Sequence, residues 1–316
     1  MTSHGAGMAV PDWPTTYGYN MFAFPSSKWV GGIFYEHTHR LVASGVGFLT
    51  IILATWLWLK EERPWLRWLG VIALFAVVLQ GVLGGLRVTL LTQEIGIFHA
   101  TLAQMFLVLV SAIALFLSTL WKRLIEAGSQ LRLHRWLRPV LGVGAVLILF
   151  QLVLGATMRH QHAGLAVPDF PLAYGKVWPR TDAAFVEQIN SKRIDARDFN
   201  AITANQIYLH MAHRMTAVAI VGIVLGAIVL VRRGESSASL RRFVYGWGLL
   251  IAAQATLGAY TVLTNKAADV ATLHVLCGAL SLVWGALLCI STAPIGVRAN
   301  EKKEVPMAHG APVLSS

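Results

Sequence analysis

The sequence predicts an all-α integral membrane protein built as a tandem, pseudo-two-fold repeat of helix bundles. Three observations carry this reading: seven apolar runs of membrane-crossing length, basic residues confined to alternate loops, and motifs that recur in the same order in both halves. Of the 316 residues, 56% are hydrophobic and 13% are charged, whereas soluble domains carry about 25% charged residues. A helix needs roughly 20 apolar residues to cross about 30 Å of hydrocarbon. Runs of that length cover 37–59, 66–90, 96–120, 137–158, 207–231, 243–264 and 270–291. Lipid leaves main-chain polar groups no partner outside their own segment, so each run is expected to be a helix.

The net charge of +11 has a placement that explains it. Lys60, Arg63 and Arg67 follow the first run; Lys122, Arg123, Arg132, Arg135 and Arg138 follow the third; Arg232, Arg233, Arg241 and Arg242 follow the fifth; Arg298, Lys302 and Lys303 follow the seventh. The intervening short loops are nearly bare of Lys and Arg. This is the positive-inside bias, which places the basic loops and the C-terminus in the cytoplasm and the other loops outside. It also argues against nucleic acid as the partner of this charge. Cys277 and Cys289 lie twelve residues apart on one helix, about 18 Å along its axis, too far to pair with each other.

The repeat organises the chain. "GMAVPDWPTTYG" (7–18) returns as "GLAVPDFPLAYG" (164–175), with eight of twelve positions identical. "EHTHR" (36–40) answers to "HMAHR" (210–214), "QGVLGGLRV" (80–88) to "QATLGAYTV" (254–262), and "IFHATLAQ" (97–104) to "ATLHVLCG" (271–278). The offset grows by 17 residues between the first match and the second, an insertion in 176–209 that reads as a solvated excursion. Runs one to three thus correspond to runs five to seven, in one orientation. Run four precedes the second copy of the phrase and has no counterpart before the first. A complete duplication would have eight spans, so a start upstream of Met1 is the expectation. The organisation expected is a three-helix half-bundle (1–121), a cytoplasmic linker (122–136), a four-helix bundle (137–295) and a cytoplasmic tail (296–316).

Four histidines keep equivalent places: His39 matches His213, and His99 matches His274. Within each copy the two stand near the outer ends of separate helices, at one depth. Ionisable side chains inside a membrane are costly and usually functional, and two facing imidazoles are the axial ligand set of a haem iron. Zinc competes, but a structural zinc wants four ligands, often thiolates. Arg40 and Arg214, next to His39 and His213, and Arg87 and Arg159, at the outer ends of their helices, are candidates for the haem propionates. A Gln-x-x-x-Gly recurs three times (Gln80/Gly84, Gln151/Gly155, Gln254/Gly258); its glycines admit close helix contact or a flat macrocycle, and helix packing is the expected use. One asymmetry stands out. His210, three residues before His213, is replaced in the first copy by Glu36. Residues at i and i+3 share a helix face, so Glu36 is expected to accept a proton or stabilise developing positive charge there. Pairing with Arg40 at i+4 is its structural alternative. His37, His160, His162 and His210 receive no role.

In this order and duplicated, these motifs resemble the haem A synthase family. The resemblance spans nearly the whole chain and rests on Glu36-x-x-His39-Arg40, "FHATLAQ", "GLAVPDFPLAYG", "HMAHR" and "TLHVLCG". It implies eight helices in two pseudo-symmetric bundles, the first helix being absent here. It implies oxidation of a ring methyl of haem O to the formyl group of haem A for terminal oxidases. It further implies haem b in the C-terminal bundle between His213 and His274, and haem O as substrate between His39 and His99 with Glu36 essential. A haem O synthase as donor, an electron partner of unknown identity, a bacterial cytoplasmic membrane location and compatibility with a homo-oligomer complete the expectation. Two axial histidines saturate the iron, so either one ligand is released to admit oxygen or electrons leave and water attacks. The competing readings are a di-haem electron-transfer cytochrome without substrate chemistry and a haem-handling assembly protein.

Overall fold

The computed structural model describes residues 9–127, 133–192, 201–234 and 236–293. The expected cytoplasmic tail, most of the centre of the linker, His4 and His309 lie outside the described residues. Nine α-helices are present among those described: α1 (Gly31–Lys60), α2 (Pro64–Leu90), α3 (Gln93–Leu117), α4 (Thr119–Ala127), α5 (Leu137–His160), α6 (Ala183–Ser191), α7 (Ala204–Arg233), α8 (Ala238–Leu263) and α9 (Ala268–Ser291). All but α4 and α6 are long and apolar enough to cross a membrane, and they coincide with the seven apolar runs.

Local chemistry sets the ends. Pro64 opens α2, where a missing N–H costs nothing. Thr203 and Gln206 form a reciprocal capping box at the start of α7, and the Ser237 hydroxyl accepts the Leu240 N–H at the start of α8. Two boundaries depart from the sequence reading. α1 begins at Gly31, six residues before its apolar run, because Glu36 and Arg40 satisfy each other and let the helix extend past the hydrocarbon. The third run was expected to reach residue 120, but α3 stops at Leu117. Ser118 is extended there, and its hydroxyl accepts the Trp121 N–H and starts the short basic helix α4. At the same face of the molecule Arg63 donates to the Phe116 carbonyl and to Glu61, and its guanidinium holds the Glu61 carboxyl down at about 2.

The solvated excursion expected in 176–209 is in part an ordered cover. Asp182 caps α6 by accepting the Phe185 N–H. Asn190 exchanges two hydrogen bonds with the main chain of Ile202, at 2.9 and 2.8 Å. Val186 and Ile189 of α6 pack on a buried cluster that includes Met158, Val167, Ile207 and Met211.

Helices α5, α7, α8 and α9 close a ring in which each packs on the next and α9 returns to α5. Helices α1, α2 and α3 form an arc, and α3 turns to contact α5 and α9. Each half is packed tightly near its basic ends. In the C-terminal half, Leu137, Leu141, Val224, Val231, Val244 and Trp247 form that core. In the N-terminal half it is smaller: Leu57, Leu66, Ala73 and Ile113. The Trp247 ring is fully buried and fits because Gly144 and Gly285 lack a Cβ, which would stand 2.7 Å from it at either position. Its indole N–H donates to the Ser281 carbonyl at 2.9 Å. The opposite ends of the helices, below the repeated phrase, carry the histidines.

Candidate functional site

The repeated phrase is a turn clamped onto a helix. In the first copy the Asp12 carboxylate accepts the N–H groups of Tyr17 and Gly18, each at 2.8 Å. The Tyr17 hydroxyl donates back to the Ala9 carbonyl at 2.5 Å. In the second, Asp169 accepts from Tyr174 and Gly175 at 2.7 and 2.8 Å, and the Tyr174 hydroxyl donates to Ala166 at 2.6 Å. Tyr17, Gly18, Tyr174 and Gly175 all have positive φ, near 50° for the tyrosines and near 75° for the glycines. A glycine is favoured there, and Asp supplies the side-chain acceptor that such turns use. Burial works against the Asp12 charge, but the Gly18, Thr15 and Tyr17 donors outweigh it and hold the carboxyl below its ordinary value.

The arginine of each His-Arg pair locks this turn to its helix. Arg40 donates to the carbonyls of Asp12, Thr15 and Val10 and to Glu36, at 2.7 to 2.9 Å. Arg214 donates to the carbonyls of Leu172, Val167 and Asp169 at 2.6 to 3.3 Å. Main-chain oxygens of the phrase thus take terminal N–H groups of both arginines, a use the sequence reading did not assign to Arg40 and Arg214. Glu36 is almost wholly buried; one oxygen takes Arg40 and the other accepts the Val10 N–H at 3.1 Å. The i+4 pairing weighed as its alternative is thus present. In the second copy His210 occupies this place, buried and with Nδ1 unpartnered, so Arg214 has no carboxylate at i−4.

The four matched histidines stand on the phrase side of the membrane helices. His39 and His213 lie about 12 to 14 Å into α1 and α7, and His99 and His274 about 9 Å into α3 and α9, at the usual helical rise. His39 lies within electrostatic reach of His99, and His213 of His274. The imidazoles of His99, His213 and His274 share one environment. Nδ1 of each is buried with no hydrogen bond, and the main chain of Gln80 and of Gln254 lies against the His99 and His274 rings. Among the described residues no three His, Cys, Asp or Glu side chains are arranged to hold a metal ion.

Arg87 is half-buried and Arg159 exposed. They are near enough for Arg87 to feel Glu36 and for Arg159 to feel Arg87. His160 packs on Gly96 at the start of α3, beside Arg87, so these cations gather where the two halves meet. His37 is a structural residue: fully buried, it meets the Thr16 hydroxyl at 3.3 Å and the rings of Phe24 and Trp29. Sequence reasoning missed one set of site residues, the glutamines of Gln-x-x-x-Gly. Gln80 donates to the His99 carbonyl and Gln151 to the His213 carbonyl, both at 2.9 Å. Their signal was the threefold recurrence of the motif.

Residues 19–286 match the family model described as cytochrome oxidase assembly protein. The chain belongs to that family. Among its relatives, a protein of Shewanella oneidensis named "Heme A synthase" is 24% identical over 85% of this chain and 83% of its own length. One of Geobacillus kaustophilus with the same name is 26% identical over 87% of this chain and 79% of its own. One of Shouchella clausii, also so named, is 29% identical over 57% of this chain, and the match spans 58% of that relative's length.

Proposed function

We propose that the chain is a haem A synthase, an oxidoreductase that converts a ring methyl of haem O to a formyl group. The observation that carries this is the pair of two-histidine sites, equivalent by repeat, of which one alone has a buried carboxylate. His213 and His274 would hold haem b, a one-electron carrier when bound. His39 and His99 would hold the substrate, haem O, and Arg40, Arg87, Arg159 and Arg214 would be the propionate partners.

Glu36 is the residue that differs between the copies, and its surroundings suit a base. Arg40 and the Val10 N–H hold its two oxygens in place. It lies near His39 and Arg87, on the side where the substrate would be bound. There its carboxylate would take up a proton released by the bound substrate, or stabilise positive charge that develops on it. The phrase and Asp182–Ser191 cover the sites on the outer face of a bacterial cytoplasmic membrane, the basic loops face the cytoplasm, and a haem O synthase supplies the substrate.

The test is co-expression with a source of haem O, followed by pigment extraction and chromatography. Haem A in the extract, lost in Glu36→Gln while the low-spin haem spectrum persists, supports the reading. Unchanged haem O beside an intact two-haem spectrum supports the di-haem carrier instead.

A further inference from the structure

The Gln-x-x-x-Gly motif has a use that helix packing alone does not describe. In each occurrence it lies on the helix packed against a histidine-bearing neighbour: α2 against α3, α5 against α7, and α8 against α9. In each, the glycine faces an imidazole. A Cβ placed on Gly84 would stand 3.3 Å from Cε1 of His99. On Gly155 it would stand 3.4 Å from Cε1 of His213, and on Gly258 3.1 Å from Cε1 of His274. At Gly84 and Gly258 this is tighter than ordinary van der Waals contact, so the ring would have to give way, while at Gly155 it stands at the near edge of ordinary contact. Gly81 and Gly226, also on membrane helices, have nothing within 4 Å of such an atom. One turn from the seat glycine, the glutamine amide fixes the same histidine by its main chain: Gln80 to His99 and Gln151 to His213. In the third seat the Gln254 amide lies instead against Gly278, one turn beyond His274.

We infer that Gln-x-x-x-Gly is the seat of an axial histidine, its glutamine and glycine being positioning residues that set the place and rotation of the imidazole from a neighbouring helix. This rests on the reading that these histidines ligate haem. The chemistry is specific. A glutamine amide can donate to a carbonyl already bonded within a helix, because a carbonyl oxygen has two lone pairs. The glycine gives the ring a flat wall at the carbon between its two nitrogens. Partners that orient a ligating histidine typically change metal affinity 10–100-fold when altered.

The experiment uses the full chain purified with its resident haem. Electron paramagnetic resonance g-values, midpoint potential and haem content are read beside helical content by circular dichroism. Gly258→Val is expected to lower haem retention in the C-terminal site roughly 10–100-fold, with helical content kept. Gly258→Ala is expected to keep the haem but shift its g-values and potential, and it decides the matter if the Val variant fails to fold. Gln151→Leu should shift both readouts more than Gln254→Leu, since the Gln151 bond to the ligand's carbonyl is formed. Gly226→Ala should change nothing. Native g-values and potential in both Gly258 variants, with haem lost in His274→Ala, overturn the seat and leave the ligand assignment standing. Haem retained in His274→Ala overturns both.

Discussion

Removing the Arg40 guanidinium tests how the outer turn and the site depend on each other. Arg40→Ala takes a cation from three carbonyls and from Glu36, which stays behind 3% exposed with the Val10 N–H as its remaining partner. Breaking a buried pair by deleting one member costs about 3–5 kcal/mol, because the remaining charge is uncompensated. Glu36→Gln is milder. Its amide oxygen can still accept from Val10, Arg40 keeps its carbonyls, and what is lost is one charged hydrogen bond worth about 1.5–3 kcal/mol. Arg214→Ala supplies the control inside the same molecule: it removes three carbonyl contacts and strands no carboxylate. The expected order of destabilisation is therefore Arg40→Ala above both Glu36→Gln and Arg214→Ala. Unfolding of the full chain in mixed micelles, followed by circular dichroism, gives the global cost, and proteolysis within 9–30 gives the local one. An Arg40→Ala cost of less than about 1 kcal/mol, or one no greater than that of Arg214→Ala, would refute the buried-pair argument.

Two further outcomes follow from the packing and the turns. Trp247→Ala opens a cavity at the centre of the C-terminal core and orphans the Ser281 carbonyl contact, so it should cost about 3–5 kcal/mol in the same unfolding assay. Asp12 has a folded pKa below the ordinary value of 3.8, so its contribution is present at neutral pH and is lost as pH falls through and below that value. Proteolysis of 9–30 should accelerate in that acid range, and Asp12→Asn, already lacking the charge, should show a flatter pH response.

The span count, the repeat and the two histidine pairs were legible in the sequence because hydrophobic length and residue spacing are one-dimensional properties. A bilayer imposes the first and a helix converts the second directly into depth. The boundary at Ser118 was not legible, since the apolar run continues past it and a side-chain hydroxyl decides the break. The cover formed by α6 was hidden behind a polar composition, because its order comes from Asn190 reaching Ile202 and from a few apolar residues meeting α7.

Arg40 and Arg214 show most clearly where sequence stops. Their position beside a histidine and the chemistry of a guanidinium suit a propionate, but only the folded chain shows three carbonyls of the repeated turn meeting each of them. The glutamines show the converse. A motif whose purpose was ambiguous as spacing became specific once the neighbouring helix brought a histidine carbonyl to 2.9 Å. The sequence by itself determined which helices exist, how they repeat and how deep each imidazole lies, for these depend on local composition and a fixed rise per residue. The tertiary structure alone decided which acceptor each donor meets, because that depends on rotations between helices that no linear pattern encodes.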